Sequence, residues 1–182
     1  TMTHLIGRVI GLAWRKYPQL NGMISRGKIY IRKNIDVFFQ VTLENAETEL
    51  VGLTINNADQ KGIVAFAQEV IDKAEKVRTS EKEPLRKTQH QFKWIPWRLM
   101  PLTIKFLNWI LYDLNINLSW LGIPKDALGS VMITSIGSFG ADLAFAPLNH
   151  LQRIPIAIAV GKVNKKPIIM DDQIVIRPRI NL

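Results

Sequence analysis

With 182 residues, 47% of them hydrophobic and 21% charged, the chain is long enough to bury a core and too apolar to stay disordered. It contains no cysteine, which excludes disulfides, thiolate nucleophiles and cysteine metal sites, and it fits a reducing compartment. The formal net charge of +9 admits anionic partners: nucleic acid, anionic lipid or a phosphate-bearing cofactor.

The chain begins on Thr1 with TMTHLIGRVIGLAW, which lacks the charged start and small-residue cleavage site of a signal peptide. It reads as a fragment or a processed chain. Leu5, Ile6, Val9, Ile10, Ala13, Trp14 and Tyr17 recur at helical spacing, and Pro18 should end that helix at Tyr17. Strands follow in GMISRGKIYIRKNIDVFFQVTLEN, with a hairpin turn at Arg26 and Gly27, and then in ELVGLTINNADQ. Asp59 is placed to cap a helix over 60–77 whose stripe would be Ile63, Val64, Ala67, Val70, Ile71 and Ala74.

A polar stretch, RTSEKEPLRKTQHQ, reads as a linker. Residues 93–121 then hold four of the five tryptophans, Trp94, Trp97, Trp109 and Trp120. Pro96, Arg98, Pro101, Lys105 and Asp113 interrupt this run, so it does not reach the roughly 18 apolar residues of a spanning helix. Two readings stay open: a helical insertion packed on the domain or on a partner subunit, or an interfacial helix on anionic lipid. The remainder is strand-rich, over 130–136, over 155–163, and in PIIMDDQIVIRPRINL with a turn at Asp171 and Asp172. Mixed helices and strands make the class α/β or α+β.

Several stretches resemble the catalytic domain of the 2-oxo acid dehydrogenase acyltransferases, the dihydrolipoamide acyltransferase family. They are GLAWRKYPQLN, IYIRKNIDVFFQV, LVGLTINNADQKGIVAFAQEVIDKAEKVR, MITSIGSFG, IAIAVGKV and IVIRP, in that order. The match covers the chain to Arg78 and again from about Ser130 to Leu182. Residues 79–129 match poorly and read as a divergent linker and insertion within one domain spanning 1–182. The family's opening strand is missing from the start, and its H-x-x-x-D-G signature would fall just after Leu182, so the domain reads as clipped at both ends.

The resemblance implies a chloramphenicol acetyltransferase-like mixed sheet with flanking helices. It also implies a homotrimer with active sites between subunits, moving an acyl group between coenzyme A and a thiol such as dihydrolipoamide. A histidine would take the thiol proton, and a hydroxyl would stabilise the tetrahedral intermediate. That hydroxyl falls on Thr134, with Ser135 as the fallback. Gly137, Ser138, Phe139 and Gly140 form the turn that would lie against the cofactor. From spacing alone, Met132, Thr134 and Ile136 share one strand face, and a threonine there bonds a neighbouring strand or water. Gly137 and Gly140 would permit a sharp turn and a close backbone approach.

His4, His90 and His150 read as surface or packing histidines, and Asp36 as a hydrogen-bonded structural carboxylate. Lys162, Lys165, Lys166, Arg177 and Arg179 could favour coenzyme A phosphates or simply be solvated. No metal is expected, and no nucleic-acid motif accompanies the charge. The expected partners are further copies and a lipoyl domain or dehydrogenase complex, with peripheral membrane contact through 93–121. The expected location is cytoplasmic, or the mitochondrial matrix in a eukaryote. The rival reading is a catalytically inactive scaffold of the same fold, serving oligomerisation or docking to a membrane or partner.

Overall fold

A computed structural model describes residues 1–42, 50–79, 96–121, 123, 125–126, 128–146 and 153–182. Helix α1 (Met2–Lys16) ends where expected: Tyr17 is forced to φ −125° and ψ 76° by the following proline, and a 3-10 turn, Pro18–Asn21, carries the chain onward. Strands β1 (Gly22–Ser25) and β2 (Lys28–Ile31) form a hairpin through Arg26 and Gly27, both left-handed at φ 50° and 71°. Two such residues make the turn whose twist matches the strands it joins. The buried Asn21 amide fastens the following segment, donating to the carbonyls of Arg32 and Asn34 at 3.0 and 2.9 Å.

Strand β3 (Val37–Thr42) pairs antiparallel with β4 (Leu50–Ile55) and parallel with β5 (Val131–Ser135), which pairs parallel with β6 (Ile156–Val160). The sheet order is β4-β3-β5-β6. Strands β7 (Asn164–Met170) and β8 (Gln173–Arg179) form a separate hairpin that turns on Asp171 and Asp172. The architecture is therefore mixed α/β, built on a mixed sheet with flanking helices, as the family resemblance implied.

Helix α2 (Ile63–Thr79) begins later than its apolar pattern indicates. Asp59 does not cap it; residues 56–60 form turns in which Asn57 takes φ 50°. The expected stripe is also rotated. Phe66 and Val70 are buried while Val64 is 79% exposed, and Ile63 and Ile71 are exposed as well. In α1 the inward face is Gly7, Ile10, Gly11 and Trp14, with Leu5, Val9 and Tyr17 outside. A Cβ on Gly7 would lie 2.5 Å from the Phe39 ring, so the helix approaches the sheet at that point only because the residue is glycine.

Both helices lie on one sheet face, over a core that includes Val37, Phe39, Ile55, Val131, Ile133 and Val160. Phe39 and Phe66 meet edge to face with centroids 5.9 Å apart. The other sheet face carries only a small cluster, Phe38, Met132 and Ile154, backed by Leu128 and Ala157. Replacing Phe66 by Ala should remove this joint between helix and sheet and cost about 3–5 kcal/mol. Chemical denaturation of the variant against the parent protein would measure it.

Candidate functional site

Because strand side chains alternate, burying Val131 and Ile133 beneath the helices sends Met132 and Thr134 to the opposite face. The parallel register places Gln40, Thr134 and Ala159 side by side, one step beyond the Phe38, Met132 and Ala157 row toward the strand ends. Thr134 is half-buried, and among the described residues its hydroxyl has no hydrogen-bond partner. Ser135 lies on the helix side beside Val160, and its carbonyl accepts the Ser138 hydroxyl at 2.8 Å. The two candidate hydroxyls thus belong to opposite faces of the sheet.

After β5 the chain makes a 3-10 turn, Gly137–Phe139, that closes on Gly140 at φ 78°. A Cβ on Gly137 would sit 2.8 Å from the Gly161 carbonyl oxygen, so this is the close backbone approach expected of it. Gly140 supplies the left-handed residue, and the Phe139 ring is exposed. The turn is fastened to the end of β6: the Ile136 N–H donates to Val160 at 2.9 Å and the Lys162 N–H donates to Ala141 at 3.0 Å.

Asp142, next in the chain, ties this turn to the β7–β8 hairpin. Its carboxylate accepts from Lys166 Nζ and from Asn164 Nδ2, and Asn181 donates to its carbonyl at 3.3 Å. The Lys166 ammonium, helped by Asn164, holds the Asp142 carboxyl below its ordinary pKa. Lys166, one of the basic residues in the set offered for phosphates, has its ammonium engaged by the Asp142 carboxylate.

A second polar assembly surrounds a cleft of about 590 Å³. Arg32, with its side chain 6% exposed, donates to Asp126 at 3.2 Å and to the Arg153 carbonyl at 2.7 Å. Asp36 accepts the Asn57 N–H at 2.9 Å; burial pushes its carboxyl up, reinforced by the charge of Asp126, although that hydrogen bond pulls the other way. Asp36 is thus the hydrogen-bonded structural carboxylate expected. Burial also raises the Tyr112 hydroxyl, whose ring lies 4.2 Å beneath the Arg153 guanidinium. Neither this cleft nor a neighbouring one of about 760 Å³ is lined by Thr134 or the turn after it. Sequence reasoning missed the Arg32 and Asp126 pair, whose partners lie 94 residues apart.

His4 has a buried Nδ1 without a partner among the described residues, and burial with the nearby N-terminal charge lowers its pKa. His90 and His150 lie outside the described residues. Among the described residues no group of three His, Asp or Glu is arranged to hold a metal ion.

The sheet order, the two helices on one face and the tight glycine turn after a central parallel strand make a mixed α/β domain. The family of 2-oxoacid dehydrogenases acyltransferases (catalytic domain) matches residues 1–92, half of the chain, and the protein belongs to it. The lipoamide acyltransferase component of the branched-chain alpha-keto acid dehydrogenase complex of Bacillus subtilis is 23% identical over 176 residues, covering 96% of this chain and 31% of its own. A probable dihydrolipoamide acetyltransferase from Listeria monocytogenes superposes with a TM-score of 0.64 at 22% identity, covering 99% of this chain and 58% of that one. The cubic core of the pyruvate dehydrogenase multienzyme complex gives 0.59 at 19% identity, with 99% and 56% covered. The fold is thus the chloramphenicol acetyltransferase-like one expected, and the chain spans about a third of the curated relative and just over half of these solved chains.

The link between Asp142 and Lys166 sets a pH dependence. A carboxyl held below its ordinary pKa in the folded state adds stability above that ordinary value, and the contribution is lost as pH falls through the lower, folded-state value. Asp142→Asn should therefore flatten the fall in Tm below about pH 4. Lys166→Ala should move the Asp142 titration back up toward the ordinary range, read by NMR.

Proposed function

We propose that this domain catalyses acyl transfer between coenzyme A and a thiol such as a dihydrolipoyl group, with the Thr134 hydroxyl as oxyanion donor. Membership of the acyltransferase family supports the reaction class. The observation that carries the residue assignment is the half-buried Thr134 hydroxyl, without a described partner, on the face opposite the helices. A polar group in that position gains most from a charge that develops only during reaction, because it gives up no existing bond to meet it.

The chemistry runs as thiolate attack on a thioester carbonyl. The new C–S bond forms, the carbonyl oxygen takes the negative charge, and collapse expels the leaving thiolate. Thr134 would donate to that oxygen. The proton on the attacking thiol would go to a histidine acting as general base, as the family resemblance implies. Gly137, Ser138, Phe139 and Gly140 would form a wall of the cofactor channel, with Ser135 behind it on the helix side.

The same reading makes the assembly a homotrimer, or a multiple of one, in a dehydrogenase complex that presents lipoyl groups. It is supported by the β7–β8 hairpin, where Ile169, Ile174 and Ile176 share one face at 76%, 77% and 70% exposure. A two-stranded ribbon with an uncovered apolar face is not stable alone, and a second copy would cover it. The location would be cytoplasmic, or the mitochondrial matrix in a eukaryote, where those thiol carriers are found.

Thr134→Ala in the intact protein should lower kcat for acyl transfer by about 10²- to 10³-fold. Thr134→Ser should restore most of it, and coenzyme A binding by calorimetry should not change. Binding without transfer in the unmutated protein would instead favour the scaffold reading. Separately, Ile174→Lys with Ile176→Lys should reduce the mass in light scattering to a smaller species; an unchanged mass would remove the hairpin from the assembly interface.

A further inference from the structure

Helix α3 (Met100–Asn108) continues through a π turn, Trp109–Asp113, and is predominantly apolar, with Lys105 the one charged residue before Asp113. Met100, Ile104, Leu107 and Leu111 turn toward the body of the protein, and only Leu111 of these is fully buried. Leu102 and Phe106, at spacing i and i+4, face away from the body, while Lys105 and Trp109 flank them at the edge of the cleft of about 760 Å³ shared with the β1–β2 hairpin. Leu102 is 68% exposed and Phe106 57%, the rings of Phe106 and Trp109 stack at 6.1 Å, and Trp97 just before the helix is 79% exposed. An exposed apolar helix face gains from being covered by a core, a partner or a lipid phase. One of its sides here faces outward.

The charge on and beside the helix indicates what covers that side. Arg98 and Lys105 are both exposed, and no Asp or Glu stands between Arg98 and Asp113 in the sequence. The first acid after them, Asp113, is paired with Arg26 at 2.9 Å. A second copy laid on the same face would set Arg98 and Lys105 against their own counterparts, which like charge opposes. An anionic headgroup layer instead meets the basic residues with opposite charge and takes Trp, Phe and Leu into its acyl boundary. Among the described residues no helix is long and apolar enough to cross a membrane, so α3 would lie in the surface plane.

We propose that the outer face of α3 docks this protein on an anionic membrane surface. The anchorage keeps that face outward. Arg26 holds Asp113, and Arg153 covers the Tyr112 ring while donating to the Ile24 carbonyl at 3.0 Å. These contacts fix the inner side of the helix to the β1–β2 hairpin and leave Leu102 and Phe106 free to enter the lipid boundary.

The test is flotation of the intact protein with vesicles of phosphatidylcholine alone, or of an equal mixture of phosphatidylcholine and phosphatidylglycerol, with tryptophan emission recorded. Flotation with the mixed vesicles only, with a blue shift, is the expected result. Trp97→Gln with Leu102→Gln and Phe106→Gln should abolish it. Arg98→Gln with Lys105→Gln, both exposed and harmless to folding, should weaken it roughly tenfold or more. Thr134→Ala should leave flotation unchanged, which separates this proposal from the catalytic one. No flotation with mixed vesicles, or equal flotation with both kinds, would overturn the proposal. A smaller mass for the triple Gln variant with vesicle binding intact would assign the face to a second copy.

Discussion

The parallel pairing of β3, β5 and β6 governs everything placed around it. Val37, Val131 and Ile156 stand in one row, and Phe39, Ile133 and Ile158 in the next, all on the face that α1 and α2 cover. A slip of one residue in any strand would turn its apolar set away from the helices, so the register is held by the whole core. Thr134 inherits its position from that constraint. It sits on the opposite face because both of its neighbours, Ile133 and Ser135, lie on the helix side.

The segment from 96 to 128 adds polar links to its apolar contacts with the body: Arg26 with Asp113, Arg32 with Asp126, and Arg153 over Tyr112. Arg32 is the costly member, since a guanidinium removed from water must be compensated by several acceptors. It has them in Asp126, the Arg153 carbonyl and a longer contact to Gly22. Removing Asp126 would leave a buried cation short of its counter-charge, which is far more damaging than losing an exposed pair such as Arg26 with Asp113.

Much of this could be read from residue order because it rests on local rules. Pro18 stops α1, Arg26 and Gly27 turn the first hairpin, Asp171 and Asp172 turn the last, and alternation along β5 separates Thr134 from Ser135. What escaped depends on three-dimensional neighbours. The core stripe of α2 is centred on Phe66, because the Phe39 ring waits opposite it, and no periodicity within the helix distinguishes that side from Val64 and Ile71. Glycines on the inner face of α1 lower its apolar signal at the point where it lies closest to the sheet. The partners of Arg32 and Asp142 come from remote segments, so nothing near them in the chain announces them.

The open position of Thr134 carries a requirement of its own. An oxyanion donor works in a site from which water is excluded, because the field of a single hydroxyl is weak against bulk solvent. Within this chain neither cleft reaches Thr134, and the apolar cover on its face stops at Phe38, Met132 and Ile154, one row short. On the proposed mechanism, a second copy or the substrate would add the walls that the described residues do not supply. The turn after β5 suits such a border. Its backbone is locked by Gly161 and Asp142, while Phe139 stands exposed at its tip. A rigid loop with an exposed aromatic ring loses little conformational freedom when a partner closes on it. In this account the catalytic fold and the assembly are one problem: the sheet presents the hydroxyl, and association makes its surroundings dry enough to matter.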